Sequence, residues 1–284
     1  MKIGITGATG QLGRLIVKKL NDRIAPENIV ALVRSTSKAG GLNVEVREFD
    51  YDKADVLAQA LKNIDCLMLI SSNEIGQRAR QHKNVIEAAK LSGVKWIVYT
   101  SLLRADSSTL SLAGEHFATE EVIKKSGIPY TILRNGWYSE NYTGSIGGAL
   151  AGGAFIGSAC EGKISSASRS DYADAAVAVL TGNGHQSKVY ELAGDEAYTL
   201  SDLAAEISGQ TGKQIPYKNL PEADYAAILK QLGVPEGFAA AIAGWDVSAS
   251  RGDLYEDGKM LSKLTGKPAT SLKIAVSQAL KLGK

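Results

Sequence analysis

Short apolar runs alternate with amphipathic segments through the first half of the chain, and this alternation limits the possible folds more than any other feature. The runs CLMLI at 66–70 and WIVY at 96–99 are apolar throughout, without the polar alternation of a half-exposed strand. A strand covered by helices on both faces has this composition. Strands and helices that alternate along a chain favour parallel pairing. The sequence therefore predicts an α/β fold with a Rossmann-type, doubly wound parallel sheet.

The pattern changes after residue 143. The segment GSIGGALAGGAF at 144–155 is rich in glycine, and we expect a flexible segment there rather than a strand or a stable helix. Further on, the periodicity predicts a strand at 188–193 among several helices. We therefore expect a Rossmann-type domain at 1–143, its sheet completed by strands from 155–195, and a smaller α/β lobe at 144–284.

Charge and hydropathy argue against several classes of protein. With 32 Lys and Arg against 30 Asp and Glu, the net charge is +2 without a basic run, which argues against nucleic acid as a partner. No run of about 18 apolar residues is present, so we expect no membrane span. We also expect no signal peptide, because the first predicted strand follows Met-Lys directly. Cys66 and Cys160 are expected to be buried free thiols, which favours the cytoplasm. No metal site is expected.

The segment GITGATGQLG at 4–13 places three glycines between the first predicted strand and the first predicted helix. Its G-x-x-G-x-x-G spacing is a variant of the dinucleotide fingerprint. Gly7 permits a tight turn, Gly10 lets the backbone approach a pyrophosphate, and Gly13 allows close packing of helix on strand. The helix N-terminus offers N–H groups and a positive dipole end to phosphates. The loop therefore indicates a bound dinucleotide, with a glycine-rich turn that holds no ligand as the alternative.

Two residues at strand ends bear on which dinucleotide is bound. Arg34 follows the second strand, where proteins that prefer NAD usually have Asp or Glu, and no carboxylate is near it in sequence. A guanidinium can pair with a 2′-phosphate through two hydrogen bonds, so NADP(H) is favoured; a solvated surface arginine is the alternative. Asp50 follows the third strand and is placed either to bind the adenine amino group or to cap a helix that begins near Lys53.

Longer stretches resemble a known family. Three stretches resemble the NmrA-like branch of the atypical short-chain dehydrogenase/reductases: the glycine segment at 4–13, the region 69–103, and TILRNGWYSENY at 131–142. The stretch FIGSACEGKISSASRSDYADAA at 155–176 resembles the quinone-reducing bacterial members of that branch. The resemblance covers essentially the whole chain. It implies an NADPH-dependent oxidoreductase with a small-molecule quinone as substrate. We then expect the domain at 1–143 to bind NADP and the lobe at 144–284 to bind substrate. The sequence leaves open whether the protein forms a homodimer.

The same resemblance implies a set of site residues. The implied cofactor-binding residues are Gly7, Thr9, Gly10, Gln11, Leu12, Arg34, Ser71, Ser72, Asn73, Asn135, Gly136, Trp137, Tyr138, Glu140 and Ser166. Substrate contacts are expected from Asn135, Trp137, Tyr138 and Asn141. Core packing is the alternative for the two aromatic residues among them.

One departure from the wider family has a chemical consequence. Orthodox members use Tyr-x-x-x-Lys on the helix after the fifth strand. In this chain that helix contains no tyrosine; it reads LAGEHFATEEVIKKSG. His116 and Glu120 have a comparable i, i+4 spacing. No catalytic residue is assigned; His116 and Tyr138 are candidates, and a partly exposed helix residue is the favoured interpretation of His116.

The absence of the Tyr/Lys pair favours a hydride acceptor that does not need a positioned acid to donate a proton. A positioned acid contributes about 10²–10⁴-fold when alkoxide charge develops on an ordinary ketone. Hydride addition to a quinone gives a delocalised phenolate, which can take its proton from water. The sequence thus favours an NADPH-dependent quinone oxidoreductase with direct hydride transfer. The alternative is an NADP-binding, redox-sensing regulatory protein without catalysis, and fold alone does not decide between them.

Overall fold

The structure is a computed structural model that describes residues 1–282. The strands are β1 (Ile3–Thr6), β2 (Ile29–Val33), β3 (Glu45–Glu48), β4 (Cys66–Leu69), β5 (Trp96–Leu102), β6 (Tyr130–Asn135), β7 (Phe155–Gly157), β8 (Lys188–Leu192) and β9 (Tyr217–Asn219). The helices are α1 (Gln11–Asn21), α2 (Ala54–Ala60), α3 (Arg78–Leu91), α4 (Ala113–Ser126), α5 (Ser139–Thr143), α6 (Ile146–Gly152), α7 (Arg169–Thr181), α8 (Leu200–Thr211), α9 (Glu222–Gln231), α10 (Glu236–Ser250), α11 (Met260–Thr265) and α12 (Leu272–Leu282).

A seven-stranded sheet has the strand order β3-β2-β1-β4-β5-β6-β8. Every strand pair from β3 to β6 is parallel. The order reverses between β1 and β4, which is the switch point of a doubly wound sheet and the usual place for a ligand crevice at the strands' carboxyl ends. The predicted fold class is therefore confirmed.

The chain divides into two compact units. Unit 1 comprises Met1–Asp106, Leu112–Asn135 and Arg169–Tyr190, and unit 2 comprises Ser107–Ser111, Gly136–Ser168 and the residues from Glu191 onward. Each unit thus draws on separate stretches of the chain. A domain boundary at residues 143/144 stays a prediction.

The core of unit 1 follows from the composition of its strands. β1, β2, β4 and β5 are buried at every position, as the absence of polar alternation predicts for strands covered on both faces. Helix α1 buries one face through Leu12, Ile16, Val17 and Leu20. Its Lys19 Nζ lies 2.7 Å from Asp174 Oδ1 of α7, so the two helices are also joined by an ion pair.

Two expectations outside the sheet were wrong. The segment expected to be flexible forms α6 and β7, because Ile146 and Ala149 are buried and tertiary burial outweighs the poor helix propensity of glycine. Cys66 is buried in β4, but Cys160 is exposed, so only one of the two thiols is buried. No helix within residues 1–282 combines the length and the apolar character needed to cross a membrane.

Candidate functional site

The glycine loop joins β1 to α1 within unit 1. Gly7 has a φ of +57°, a backbone conformation that residues with a side chain rarely adopt. A Cβ on Gly13 would overlap the carbonyl oxygen of Gly7 and lie 2.8 Å from Cα of Ala8. The helix therefore packs on the turn at a distance that admits no side chain.

The start of α1 has the features of an anion site. Gly10 is the N-cap residue, and no side chain caps the helix there, so its first-turn N–H groups lack a side-chain acceptor. Gly10 and Gln11 are exposed and Thr9 is half-buried, whereas Leu12 is buried in the core. Because its side chain is buried, Leu12 could contact a ligand only through its backbone.

Arg34 is exposed immediately after β2, but it is not without a carboxylate. Its Nη1 donates a hydrogen bond to Oε1 of Glu74 over 2.5 Å. Glu74 comes from the loop that follows β4, so the structure supplies in space the carboxylate that the sequence around Arg34 lacks. The arginine of the predicted 2′-phosphate site is thus part of an ion pair.

Asp50 does not cap α2. The N-cap residue of that helix is Lys53, and it has no side-chain cap. Oδ1 of Asp50 instead accepts a hydrogen bond from the backbone N of Asp52 at 3.1 Å. The capping alternative for Asp50 was wrong, and its role at adenine stays a prediction.

Buried side chains hold the segment after β4 that contains Ser71 and Ser72. The backbone N of Ser71 donates to Oγ1 of Thr100 at 2.9 Å, and the backbone N of Ser72 donates to Nε2 of His82 at 2.9 Å. Nε of Arg78 donates to the carbonyl oxygen of Ser72 at 2.5 Å. Three side chains from two elements, α3 and β5, therefore position the backbone of this segment. Asn73, the next predicted residue, is exposed.

The hydrogen bonds of His82 define its tautomer. Because Nε2 accepts from Ser72, the ring proton is on Nδ1, which lies 2.9 Å from Oγ1 of Thr119. That hydroxyl in turn donates to the carbonyl oxygen of Glu115 at 2.8 Å. Burial and the nearby charge of Arg78 lower the pKa of His82 to about 3. His82 therefore stays neutral and holds Ser72 across the physiological pH range.

His116 is buried, so the expectation of a partly exposed residue was wrong. Its Nδ1 lies 2.8 Å from the Tyr99 hydroxyl, and its Nε2 lies 3.4 Å from Nη1 of Arg78. Burial and the Arg78 charge lower the pKa of His116 well below its usual value. A neutral imidazole with both nitrogens engaged in the interior is poorly suited to give a proton to a substrate.

Glu120, the other member of the i, i+4 pair, serves a different partner. It is fully buried and accepts from Arg134 twice, Nε to Oε1 at 2.8 Å and Nη2 to Oε2 at 2.7 Å. The Ser101 hydroxyl also donates to Oε1 at 2.6 Å. Arg134 Nη1 reaches Oδ2 of Asp106 at 3.0 Å. Glu120 and Arg134 thus form a buried ion-pair cluster that joins α4 to β5 and β6.

Asn135 ends β6 and carries an unsatisfied polar atom. Its Oδ1 is buried and has no hydrogen-bond partner in the part of the chain that the structure describes. A buried acceptor without a donor costs about 1–3 kcal/mol, so such an atom in a predicted site indicates a place for an external N–H or O–H donor.

The remaining predicted residues belong to unit 2. Gly136, Trp137 and Ser166 are buried, Tyr138 is half-buried, and Glu140 and Asn141 are exposed. The Trp137 ring packs edge-on against Trp245 of α10, with ring centroids 5.6 Å apart, which is the core packing left open above. The Ser166 hydroxyl lies 2.9 Å from that of Ser139 and 2.6 Å from that of Tyr198.

A buried carboxylate lies next to Trp245 in unit 2. Oδ1 of Asp246 accepts from the Tyr142 hydroxyl at 3.1 Å, and Oδ2 accepts from the backbone N of Ser158 at 2.9 Å. Burial raises the pKa of Asp246 from its ordinary 3.8 to about 6. Asp246 therefore fastens α10 to α5 and to the end of β7 while titrating near neutrality.

Asp246 is expected to make the stability of the chain depend on pH. The pKa of Asp246 is higher in the folded than in the unfolded chain, so protonation of this carboxyl favours folding. Its contribution to the free energy of unfolding is complete below pH 3.8 and is lost as the pH rises through about 6. The free energy of unfolding of the wild type relative to Asp246→Asn should therefore be about 1 kcal/mol larger at about pH 5 than at about pH 7. Urea titrations of both proteins at both pH values measure this difference, and a constant difference would contradict it.

The comparisons with known proteins extend over nearly the whole chain. The model of the NmrA-like family matches residues 1–274. The chain belongs to the NmrA-like family. It is 55% identical over 278 residues to quinone oxidoreductase 2 of Escherichia coli K12, covering 97% of both chains.

Two solved structures of the same fold are similar to this NmrA-like chain. The E. coli NADPH-dependent quinone oxidoreductase 2, crystallised with NADPH, has a TM-score of 0.96 at 54% identity and covers 98% of this chain and 99% of that one. Triphenylmethane reductase of Citrobacter sp. has a TM-score of 0.95 at 36% identity, covering 99% of this chain and 100% of that one.

The residues of this NmrA-like chain fit a phosphorylated dinucleotide. The uncapped start of α1 suits a pyrophosphate, the Arg34 guanidinium suits a phosphate, and the orphan oxygen of Asn135 suits an amide donor. Within residues 1–282, no cluster of His, Cys, Asp or Glu side chains has the arrangement of a metal site.

Sequence reasoning did not find Glu74, Arg78 or His82. All three lie in the stretch that carries the family resemblance. A polar residue in a single sequence looks the same whether it faces solvent or holds a neighbouring loop, so only an alignment of relatives or the tertiary structure distinguishes these three.

Proposed function

We propose that this chain is an NADPH-dependent quinone oxidoreductase. The observation that carries the proposal is its 55% identity to quinone oxidoreductase 2 of E. coli over 97% of both chains. The E. coli structure with NADPH, at a TM-score of 0.96, supports the same assignment. The proposed substrate is a small-molecule quinone, and the proposed location is the cytoplasm.

The proposed cofactor contacts in unit 1 follow from the fit described above. The glycine loop and the first turn of α1 would bind the pyrophosphate, Arg34 the 2′-phosphate, and Oδ1 of Asn135 the carboxamide of the nicotinamide. The backbone of Ser71 and Ser72 would lie along the ribose, where His82 and Thr100 hold it still. When bound, NADPH supplies the hydride.

In this proposal the protein positions the reactants and leaves proton transfer to solvent. His116 and Glu120 are engaged in buried contacts, and neither is assigned a proton. The anion formed on a quinone is stabilised by its own ring, so holding donor and acceptor together supplies most of the rate enhancement. The unit 2 residues that would contact the cofactor or substrate, as the resemblance implies, are Gly136, Trp137, Tyr138, Glu140, Asn141 and Ser166. For Trp137 this contact would come in addition to its packing against Trp245.

Oxidation of NADPH by the purified protein tests the proposal. We expect turnover with a naphthoquinone and none with a plain aliphatic ketone, since reduction of the ketone needs a positioned acid and the helix after β5 carries no tyrosine. Tight NADP⁺ binding without quinone turnover would instead favour the regulatory alternative. A cationic triphenylmethane dye belongs in the same assay, because the Citrobacter reductase is 36% identical; turnover of the dye alone would replace the quinone as substrate.

A further inference from the structure

We propose that Glu74 competes with the 2′-phosphate of NADPH for Arg34 and thereby limits the preference of this chain for NADPH over NADH. The inference rests on the proposed function, which assigns Arg34 to the 2′-phosphate. Its basis is the ion pair between Nη1 of Arg34 and Oε1 of Glu74, 2.5 Å long. Both side chains are open to solvent, with 69% of Arg34 and 38% of Glu74 exposed, so a ligand can reach the pair.

Glu74 is held in this position from two further directions. Its Oε2 accepts a hydrogen bond from Nε2 of Gln81 at 2.8 Å, and its backbone N donates to the hydroxyl of Ser72 at 3.1 Å. Gln81 is itself buried. The carboxylate is therefore oriented toward Arg34 by the surrounding structure rather than by the ion pair alone.

A second carboxylate lies within electrostatic range of Arg34. Asp52 accepts from Nη2 of Arg80 at 2.6 Å and from Nε2 of Gln81 at 3.1 Å. Hydrogen bonds from Arg80 and Gln81 lower the pKa of Asp52, with a smaller contribution from the Arg34 charge. Two guanidinium groups thus face two carboxylates, so a phosphate at Arg34 would enter a cluster that is already close to neutral.

This charge balance has opposite consequences for the two nucleotides. A 2′-phosphate must displace Glu74 from Arg34 or tolerate a like charge beside it. A 2′-hydroxyl can instead donate a hydrogen bond to the Glu74 carboxylate, as the acidic residue of NAD-binding proteins does. Glu74 therefore weakens binding of the phosphorylated nucleotide without weakening that of the other.

The test is the affinity of the purified protein for NADP⁺ and NAD⁺, measured by calorimetry without any acceptor. Glu74→Gln removes the charge and retains an oxygen for Gln81. Glu87→Gln is the matched control, because Glu87 is an exposed residue of the same unit in an i, i+4 pair with Lys83. Thermal unfolding of each variant shows whether it is folded.

We expect Glu74→Gln to tighten NADP⁺ binding about five-fold at low salt, the upper range for one exposed ion pair. NAD⁺ binding should be unchanged or weaker, Glu87→Gln should match the wild type, and the gain should shrink at high salt. Unchanged or weaker NADP⁺ binding in Glu74→Gln, an equal gain for both nucleotides, or the same gain in Glu87→Gln would overturn the inference.

The outcome separates this inference from the proposed function. Wild-type binding of NADP⁺ with no effect of Glu74→Gln would overturn only the inference. Tighter binding in Glu74→Gln without quinone turnover would overturn only the assigned activity. An Arg34→Ala variant that binds NADP⁺ as the wild type does would remove the premise and overturn the inference as well.

Discussion

The Gly13→Val variant is expected to lose dinucleotide binding. A side chain at this position would meet the carbonyl oxygen of Gly7 and Cα of Ala8, both of them backbone atoms of the turn. No rotamer change relieves such a contact, so the turn must open or α1 must move away from β1. Either movement displaces the backbone that is proposed to bind the pyrophosphate. Titration with NADP⁺ measures the loss.

Two further variants keep this prediction testable if the valine prevents folding. Gly13→Ala makes the same backbone contact with a single methyl group and should cost about 1–3 kcal/mol of stability together with a clear loss of affinity. Gly148→Ala is the control, because a Cβ there meets nothing within 4 Å in α6. Removing that helical glycine should stabilise the protein by about 0.5–1 kcal/mol and leave the affinity unchanged. Wild-type affinity in a folded Gly13→Ala variant would contradict the prediction.

The Glu120→Ala variant is expected to lose about 3 kcal/mol of unfolding free energy, the lower end of the range for breaking a buried ion pair. It leaves the Arg134 guanidinium buried without the carboxylate that accepts two of its hydrogen bonds. Asp106 remains at Nη1, which is why we expect the lower end. Urea unfolding monitored by fluorescence or circular dichroism measures the loss.

The neighbouring residue provides a matched control for Glu120. Glu121 lies on the same helix, is partly exposed and pairs only at the surface, with Lys124 and Lys125. Glu121→Ala should cost at most about 1 kcal/mol. The folded fraction of Glu120→Ala should retain kcat within a few-fold, because the carboxylate acts on Arg134. A loss of about 10²-fold or more in kcat with normal stability would instead identify Glu120 as an acid–base residue.

The sheet was predictable because its strands carry one strong constraint. Strands such as β4 and β5 are buried on both faces, and a mainly apolar run without polar alternation suits that environment. Helix α6 was not predictable in the same way, because its glycines oppose a helix locally and burial of Ile146 and Ala149 reverses the balance. Local propensity decides an element only when tertiary packing does not oppose it.

The same distinction applies to the candidate site. The glycine loop was predictable from the sequence because each glycine meets a backbone requirement that is local in sequence. His116 was misjudged because burial depends on what packs against its helix, here Tyr99 and Arg78. Glu74 was missed because it is 40 residues from Arg34 in sequence.

The sequence alone determined the class of sheet, the position of the glycine turn and the presence of an arginine after the second strand, since each depends on neighbouring residues. Only the tertiary structure decided which charges face one another: Glu74 on Arg34, Glu120 on Arg134, and His82 on the backbone of Ser72. Electrostatic and hydrogen-bond energies depend on distances in space. Residues far apart along the chain acquire those distances only when it folds.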